Sequence, residues 1–437
     1  MNLEFEFIQV AMGLREQLST VPSVNEWQTL FEFCKRQSLL GIGFAAVEKL
    51  HKVGMECPST IRLQWYGYAL KIERMNEKLN MQCDEISKRY EHDGLQCCIL
   101  KGQGNLLNYP EILRMRRTPG DIDLWAIQIN DEGLRIKDEG LKINDEGLKI
   151  KDEGLRIKNE GIDYVEYHGR RAVMEYVRMQ YRLQGIDAKP KACYHHIEAP
   201  SMDGTEVEVH YRPAFLRSPL RNRRMQRWFE HHADVCMNNK THLGFSMMTS
   251  SVNVVYQMCH LFTHIFEGGI GLRQLMDYYF ALRVWHNDVM ECKDLQTQGM
   301  WSEGLGTPVM SKEEVMAVLR SFGMDKFAAA VMYVLHEVFD LPTQLSMNDE
   351  RSRMKDYPWL LCEPNEKEGK KLLDEIMQGG NFGQYDTRDA ALKKGGMIKH
   401  GLWKLKRVMR LVSSYPEEAL WEPVFRVWHL LWRGING

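Results

Sequence analysis

Asp121 and Asp123 stand two apart in the stretch RTPGDIDLW, with Ile122 between them and Leu124 after them. In a β-strand, residues i and i+2 point to the same face. The two carboxylates therefore sit side by side, while Ile122 and Leu124 turn the other way into apolar packing. Neighbouring carboxylates repel, and burying them uncompensated is costly. A hard dication such as Mg²⁺, held by one or two carboxylates and a substrate phosphate, supplies the compensation. The plainer alternative is a strand running out into a polar turn, with Pro119-Gly120 as its punctuation.

Several elements must position such a pair. Residues 1 to about 95 carry apolar side chains at helical spacing, with Ser59 or Thr60 as N-cap of a long second segment and Gly94 as its stop. LQCCILKG then reads as a short buried strand ending in Lys101-Gly102. QGNLLNYP follows as a helical turn ended by Pro110, and DIDLWAI is the next strand. TEVEVHYRP is a third, with Val207 and Val209 on one face and Glu206, Glu208 and His210 on the other. Mixed strands and helices argue an α+β core. After Glu230 the pattern is helical again to the end, including a basic amphipathic stretch, MIKHGLWKLKRVMRLVSS, and a Trp-rich tail.

Five seven-residue units, from IQINDEG to LRIKNEG, fill residues 127–161. The period is that of a coiled coil, but the two apolar positions of each unit lie two apart, about 200° around a helix, and cannot form one seam. A glycine in every unit also disfavours helix. Short strands joined by turns, or a flexible loop, fit better. The expected organisation is an N-terminal helical region over 1–95, a core over 96–230 with the insert at 127–161, and a C-terminal helical domain over 231–437.

The 437 residues allow two or three domains, and 44% hydrophobic content supplies a substantial core. A net charge of −2 gives no global field toward nucleic acid or membrane. The ten cysteines are scattered without a CxxC, and the opening MNLEFEFIQV does not read as a secretory signal. The expectation is a reduced, cytoplasmic protein with no integral membrane segment. Cys193, His195 and His196 in CYHH invite a zinc reading, but structural zinc wants four ligands and no second pair is evident. His210 shares a face with Glu208, either beside a metal or as a hydrogen-bonded core histidine. Arg273 and Asp277 are four apart, the spacing of a helix ion pair. The arginines of RPAFLRSPLRNRRMQRW form either an anion-binding patch, with RNA as one ligand, or a solvated basic face.

Three pieces recur in order: ILKGQGNLLNYP, RRTPGDIDLW and VEVHYRP. They resemble the nucleotidyltransferase fold of the DNA polymerase β type, and more closely an uncharacterised bacterial nucleotidyltransferase family with members of the Bacteroidales type. WYGYALKIERMNEKLN and CHLFTHIFEGGIGLRQLMDYYFAL extend the resemblance to the flanking helices. It implies a small mixed β-sheet with flanking helices and a Mg²⁺-dependent transfer of a nucleoside monophosphate from an NTP to a hydroxyl, with release of pyrophosphate. Asp121, Asp123 and Glu208 would hold two Mg²⁺ ions, or Glu208 would accept the hydroxyl proton. Gly102 and Gln103 would offer backbone N–H groups to phosphate, and Lys101, Arg114 and Arg116 would neutralise its charge. The partners implied are the NTP and a small-molecule, sugar or protein acceptor; nucleic acid is not favoured. The chain has Gly102-Gln103 where the wider superfamily usually has Gly-Ser, so a serine contact to phosphate is missing.

Overall fold

The computed structural model describes residues 2–128, 150–151, 154–159, 162–167, 169–297, 309–341, 360–393 and 395–436. The chain opens with helices α1 (Leu3–Met12), α2 (Val24–Arg36), α3 (Leu40–Lys52) and α4 (Ser59–His92). Ser23 and Glu26 close a capping box at the start of α2, satisfying two otherwise unpaired donors. The long α4 differs from expectation at its start. Ser59 is its first residue, Pro58 stands at the N-cap, and no side chain caps it. It ends at His92, with Gly94 at φ 85° in the left-handed region.

Strand β1 (Leu95–Ile99) is followed by two single-turn helices, α5 (Gln103–Leu106) and α6 (Glu111–Arg114), and by β2 (Ile122–Gln128). Then come β3 (Ile150–Lys151), β4 (Gly154–Asn159), β5 (Ile162–Tyr167), α7 (Gly169–Leu183), β6 (His196–Met202) and β7 (Thr205–His210). The rest is helical: α8 (Pro219–His231), α9 (Ala233–Met237), α10 (Ser250–Glu267), α11 (Leu272–Thr297), α12 (Lys312–Ser321) and α13 (Asp325–Phe339). It closes with α14 (Glu366–Gly379), a 3₁₀ turn at Asn381–Gly383, α15 (Ala390–Lys393), α16 (Met397–Leu411) and α17 (Pro416–Asn436). No helix among the described residues is long and apolar enough to cross a membrane.

The central sheet has the order β1-β2-β7-β6 and is mixed. β2 runs antiparallel to β1 and parallel to β7, and β6 is antiparallel to β7. Of the heptapeptide repeat, the described residues are 127–128 in β2, β3, and β4, which pairs antiparallel with β3 and β5; the remainder lies outside the described residues.

Side-chain alternation assigns each face of the central sheet to a different apolar cluster. Ile99, Ile122, Leu124, Ala126, Ile197, Val207 and Val209 pack with Leu79, Cys83 and Ile86 of α4 and Tyr176 and Val177 of α7. The opposite face carries Cys98, Leu100 and Trp125 into a larger cluster built on α1–α3 and α10–α13. Both faces of β2 are therefore covered, and Asp123, on the face of Trp125, is buried. At the C-terminus, Phe425 of α17 stacks on Phe215, whereas Leu431 and Ile435 are 66% and 84% exposed.

Candidate active site

β2 and β7 lie parallel with Asp123 directly opposite Glu208. Carboxylate oxygens of Asp121, Asp123 and Glu208 all lie within 4.8 Å of one another. Glu206, though on the same strand face as Glu208, is exposed and outside the cluster. Three cationic or neutral donors surround the acids. Lys101 Nζ stands 3.0 Å from Asp123 Oδ1. His210 Nε2 is 3.0 Å from the same oxygen and 3.5 Å from Glu208 Oε2. His196 Nδ1, across the β6–β7 ladder, is 3.3 Å from Glu208 Oε2. Asp123 Oδ2 is buried with no hydrogen-bond partner among the described residues. An unsatisfied carboxylate oxygen among three converging acids suits a hard dication, so the residues fit Mg²⁺.

In the metal-free protein these contacts set the protonation states. Burial opposes the charge of Asp123, but Lys101 and then His210 hold its carboxyl below the usual range. Burial likewise opposes ionisation of Glu208, and His210 and His196 hold it down at about 2. His210 is pushed up to about 9, against its burial, by hydrogen bonds to Asp123 and Glu208. Burial and His210 push His196 down to about 4, so its ring is neutral. For Lys101, Asp123 and then Asp121 outweigh burial and raise its value.

The cluster opens into a cavity of about 810 Å³ whose walls include Lys101, Asp121, His196, Glu208 and His210. That volume is within the range of small-molecule sites. The far wall comes from the C-terminal helices: Lys404, Arg426, His429 and Arg433. His260 and His264 of α10 also line it, packed with their ring centroids 4.2 Å apart. A smaller recess behind Asp121 is bounded by Lys101, Gly102, Arg117, Gly120, Arg273 and Phe382.

The residues expected to meet phosphate divide. Lys101 and Gly102 border the acids. Gly102 has φ 62° and ψ −114°, a backbone conformation that L side chains rarely adopt, so this turn next to the Asp121 carbonyl favours glycine. The side chain of Gln103 is turned away, donating to the Asn76 carbonyl at 3.3 Å and to Asn80 Oδ1 at 2.6 Å. Arg114 and Arg116 are not brought to the cluster. Arg116 is drawn to the N-terminal helices, where Nε lies 2.6 Å from Glu73 and Nη2 3.4 Å from Glu48. Arg114 Nη2 points at the carbonyls of Leu107 and Tyr109, each at 3.5 Å. The arginines that border the recess beside Asp121 are instead Arg117 and, from α11, Arg273. Arg273 Nη1 donates to the Thr118 carbonyl at 3.1 Å, and its buried Nε has no hydrogen-bond partner among the described residues.

Arg273 does not form the expected ion pair with Asp277. Asp277 is taken by Arg117, which donates to it through Nε at 2.7 Å and Nη2 at 2.8 Å, and by the Tyr109 hydroxyl at 2.6 Å. Of the six arginines in the stretch just after β7, Arg217 forms ion pairs with Glu267 and Glu418, and Arg221 with Glu417.

A family model described as "uncharacterised nucleotidyltransferase" matches residues 23–298. The chain belongs to this nucleotidyltransferase family. The match includes the central sheet, the three acids, Lys101 and Arg273, and it stops before the helices that furnish Lys404, Arg426 and Arg433. No curated protein and no solved structure matches the chain.

Proposed function

We propose that the protein is a Mg²⁺-dependent nucleotidyltransferase that moves a nucleoside monophosphate from an NTP to a hydroxyl acceptor and releases pyrophosphate. The observation that carries this reading is the convergence of Asp121, Asp123 and Glu208 within 4.8 Å beside a cavity of about 810 Å³, in a chain of this family. The three acids would hold two Mg²⁺ ions, with Asp123 Oδ2 free to ligate. When bound, the metal supplies charge neutralisation for the triphosphate and lowers the pKa of the acceptor hydroxyl. Lys101 and Arg273 both border the small recess beside Asp121, off the main cavity, and would meet a phosphate oxygen placed there. His196, neutral and in contact with Glu208, fixes the direction of that carboxylate. Glu208 completes the metal set or receives the acceptor proton. The acceptor is a small molecule, a sugar or a protein side chain placed in the wider cavity.

One observation favours a second reading. Lys101 and His210 already neutralise Asp123, and Asp121 and Glu208, but not Asp123, border the cavity. On that reading the acids are structural, and the protein binds a nucleotide or a partner without transferring anything. NTPs labelled at the α- or the γ-phosphate, incubated with Mg²⁺ and a pooled extract of small molecules and proteins, separate the two. Transfer of the α-label alone, lost in Asp123→Asn, supports the transferase. Nucleotide binding without label transfer supports the second reading. Transfer of the γ-label, or α-transfer that survives Asp123→Asn, rules out the proposed chemistry.

A further inference from the structure

Ten cysteines are present, and among the described residues Cys193 is the one whose side chain borders the large polar cavity. It does so in company. His195 Nδ1 lies 3.5 Å from Cys193 Sγ, and His195 Nε2 lies 3.1 Å from His196 Nδ1. With one donor atom counted from each residue, the three lie within 4.8 Å of one another. All three border the cavity, so the cluster has an entry path.

The backbone holds this cluster independently of any ion. The Cys193 N–H donates to the His196 carbonyl at 2.9 Å, closing a tight turn at the start of β6, and Ala192 bridges to Ile197. The N–H groups of Tyr211 and Arg212 both donate to the His195 carbonyl, at 3.0 and 3.1 Å, and the Tyr211 hydroxyl donates to the Cys193 carbonyl. The His195 ring rests against Phe215, with centroids 4.8 Å apart. Tyr194 turns to the other side, into Phe425 and Trp428. A turn with five anchors on its backbone thus presents one sulfur and two imidazoles to the cavity wall.

We propose that Cys193, His195 and His196 form a second cation site, selective for zinc-class dications and distinct in chemistry from the oxygen site of Asp121, Asp123 and Glu208. Sulfur and imidazole donors favour Zn²⁺ and its neighbours, whereas carboxylates favour Mg²⁺. Three protein ligands leave a fourth position open, and here it faces the cavity, available to water or a substrate group. Tetrahedral zinc with these donors has ligand–ligand edges of about 3.3–3.6 Å, so loading would draw any pair of donors together by at most about 1.5 Å. The thiol proton goes to solvent as the metal binds. The site touches the acid cluster through His196, 3.3 Å from Glu208. The inference does not rest on the transferase reading: His196 is shared with the acid cluster, but the sulfur ligand and the thiolate readout of the test are not.

The full chain, stripped with a chelator, is titrated with Co²⁺ alone and with Zn²⁺ alone. Wild type is expected to bind one Co²⁺ with a sulfur-to-cobalt charge-transfer absorption in the near ultraviolet, bleached by one equivalent of Zn²⁺ and not by excess Mg²⁺. Cys193→Ser is expected to lose that absorption and to bind Zn²⁺ at least about 10-fold more weakly. Cys292→Ser and Asp121→Asn/Asp123→Asn are expected to keep it. Absence of the thiolate band in wild type overturns the proposal whatever the variants do, and so does its persistence in Cys193→Ser. Loss of the band on mutating the aspartates would also overturn it, since the cation would then belong to the acid site. The transferase reading stands or falls separately, on Mg²⁺ and nucleotide.

Discussion

Asp277 on α11 offers a sharp energetic test of how the acid pair is positioned. Its carboxylate accepts three hydrogen bonds, from Tyr109 and from two nitrogens of Arg117, and the Arg117 and Asp277 side chains are only 3% and 5% exposed. Arg117 in turn donates to the Thr118 carbonyl at 3.2 Å, and its own carbonyl accepts from Asn76 at 2.8 Å. This network fixes the chain four residues before Asp121. Asp277→Asn keeps the shape but removes the charge and leaves a guanidinium buried without its counter-ion. Breaking a buried pair on one side costs about 3–5 kcal/mol, a third or more of a typical net stability near 10 kcal/mol. Replacing both partners, Arg117→Met with Asp277→Leu, removes the stranded charge and is expected to cost less than the single change. Urea unfolding followed by tryptophan fluorescence measures both. A cost below about 1 kcal/mol for Asp277→Asn, or a double variant as impaired as the sum of its singles, would refute the reasoning.

The same physics gives further expectations. Lys101→Met strips Asp123 of one of its two cationic neighbours, so metal-free protein should lose about 3 kcal/mol of stability; added Mg²⁺ should recover part of it, read as a rise in melting temperature. With metal removed, His210 binds its proton more tightly folded than unfolded, at about 9 against an ordinary 6.5. That contribution, at most about 3 kcal/mol, is full below pH 6.5 and lost as pH rises through 9. Glu208, lowered from 4.5 to about 2, contributes above pH 4.5 and loses this as pH falls through 2, while His196, lowered from 6.5 to about 4, is held neutral by the fold and costs stability as pH falls from 6.5 through 4, so metal-free melting temperatures should peak near pH 6.5. Arg273→Ala should weaken NTP binding by at least about 10-fold, and Arg116→Ala by under about 3-fold, by calorimetry. An equal effect of the two would place phosphate elsewhere.

Strand alternation made the acids legible. One glance at Asp121, Asp123 and Glu208 gives their faces, because period two is local and a buried strand leaves no choice of side. Lys101 followed from its place at the end of β1. The arginines were different. Arg114 and Arg116 stand close to the aspartates in sequence, but Glu48 and Glu73 on the N-terminal helices claim Arg116, and nothing local marks those partners. Arg273 reaches the site from α11, about 150 residues away, and its helical spacing to Asp277 points to a pair that Arg117 replaces. His196 was visible only as half of a His-His dipeptide; its contact with Glu208 comes from the β6–β7 register. The cationic wall of Lys404, Arg426 and Arg433 depends on how α16 packs on α10 and α17 on Tyr194 and Phe215, a tertiary fact without a sequence motif.

The central claim is that the three acids form a metal–nucleotide site. Titration calorimetry of ATP, CTP, GTP and UTP into the full chain, with and without Mg²⁺, beside Asp121→Asn/Asp123→Asn, tests it most directly. At least one NTP should bind wild type only when Mg²⁺ is present, and the double variant should not bind it. Binding that ignores Mg²⁺, or that survives intact in the double variant, would contradict the claim.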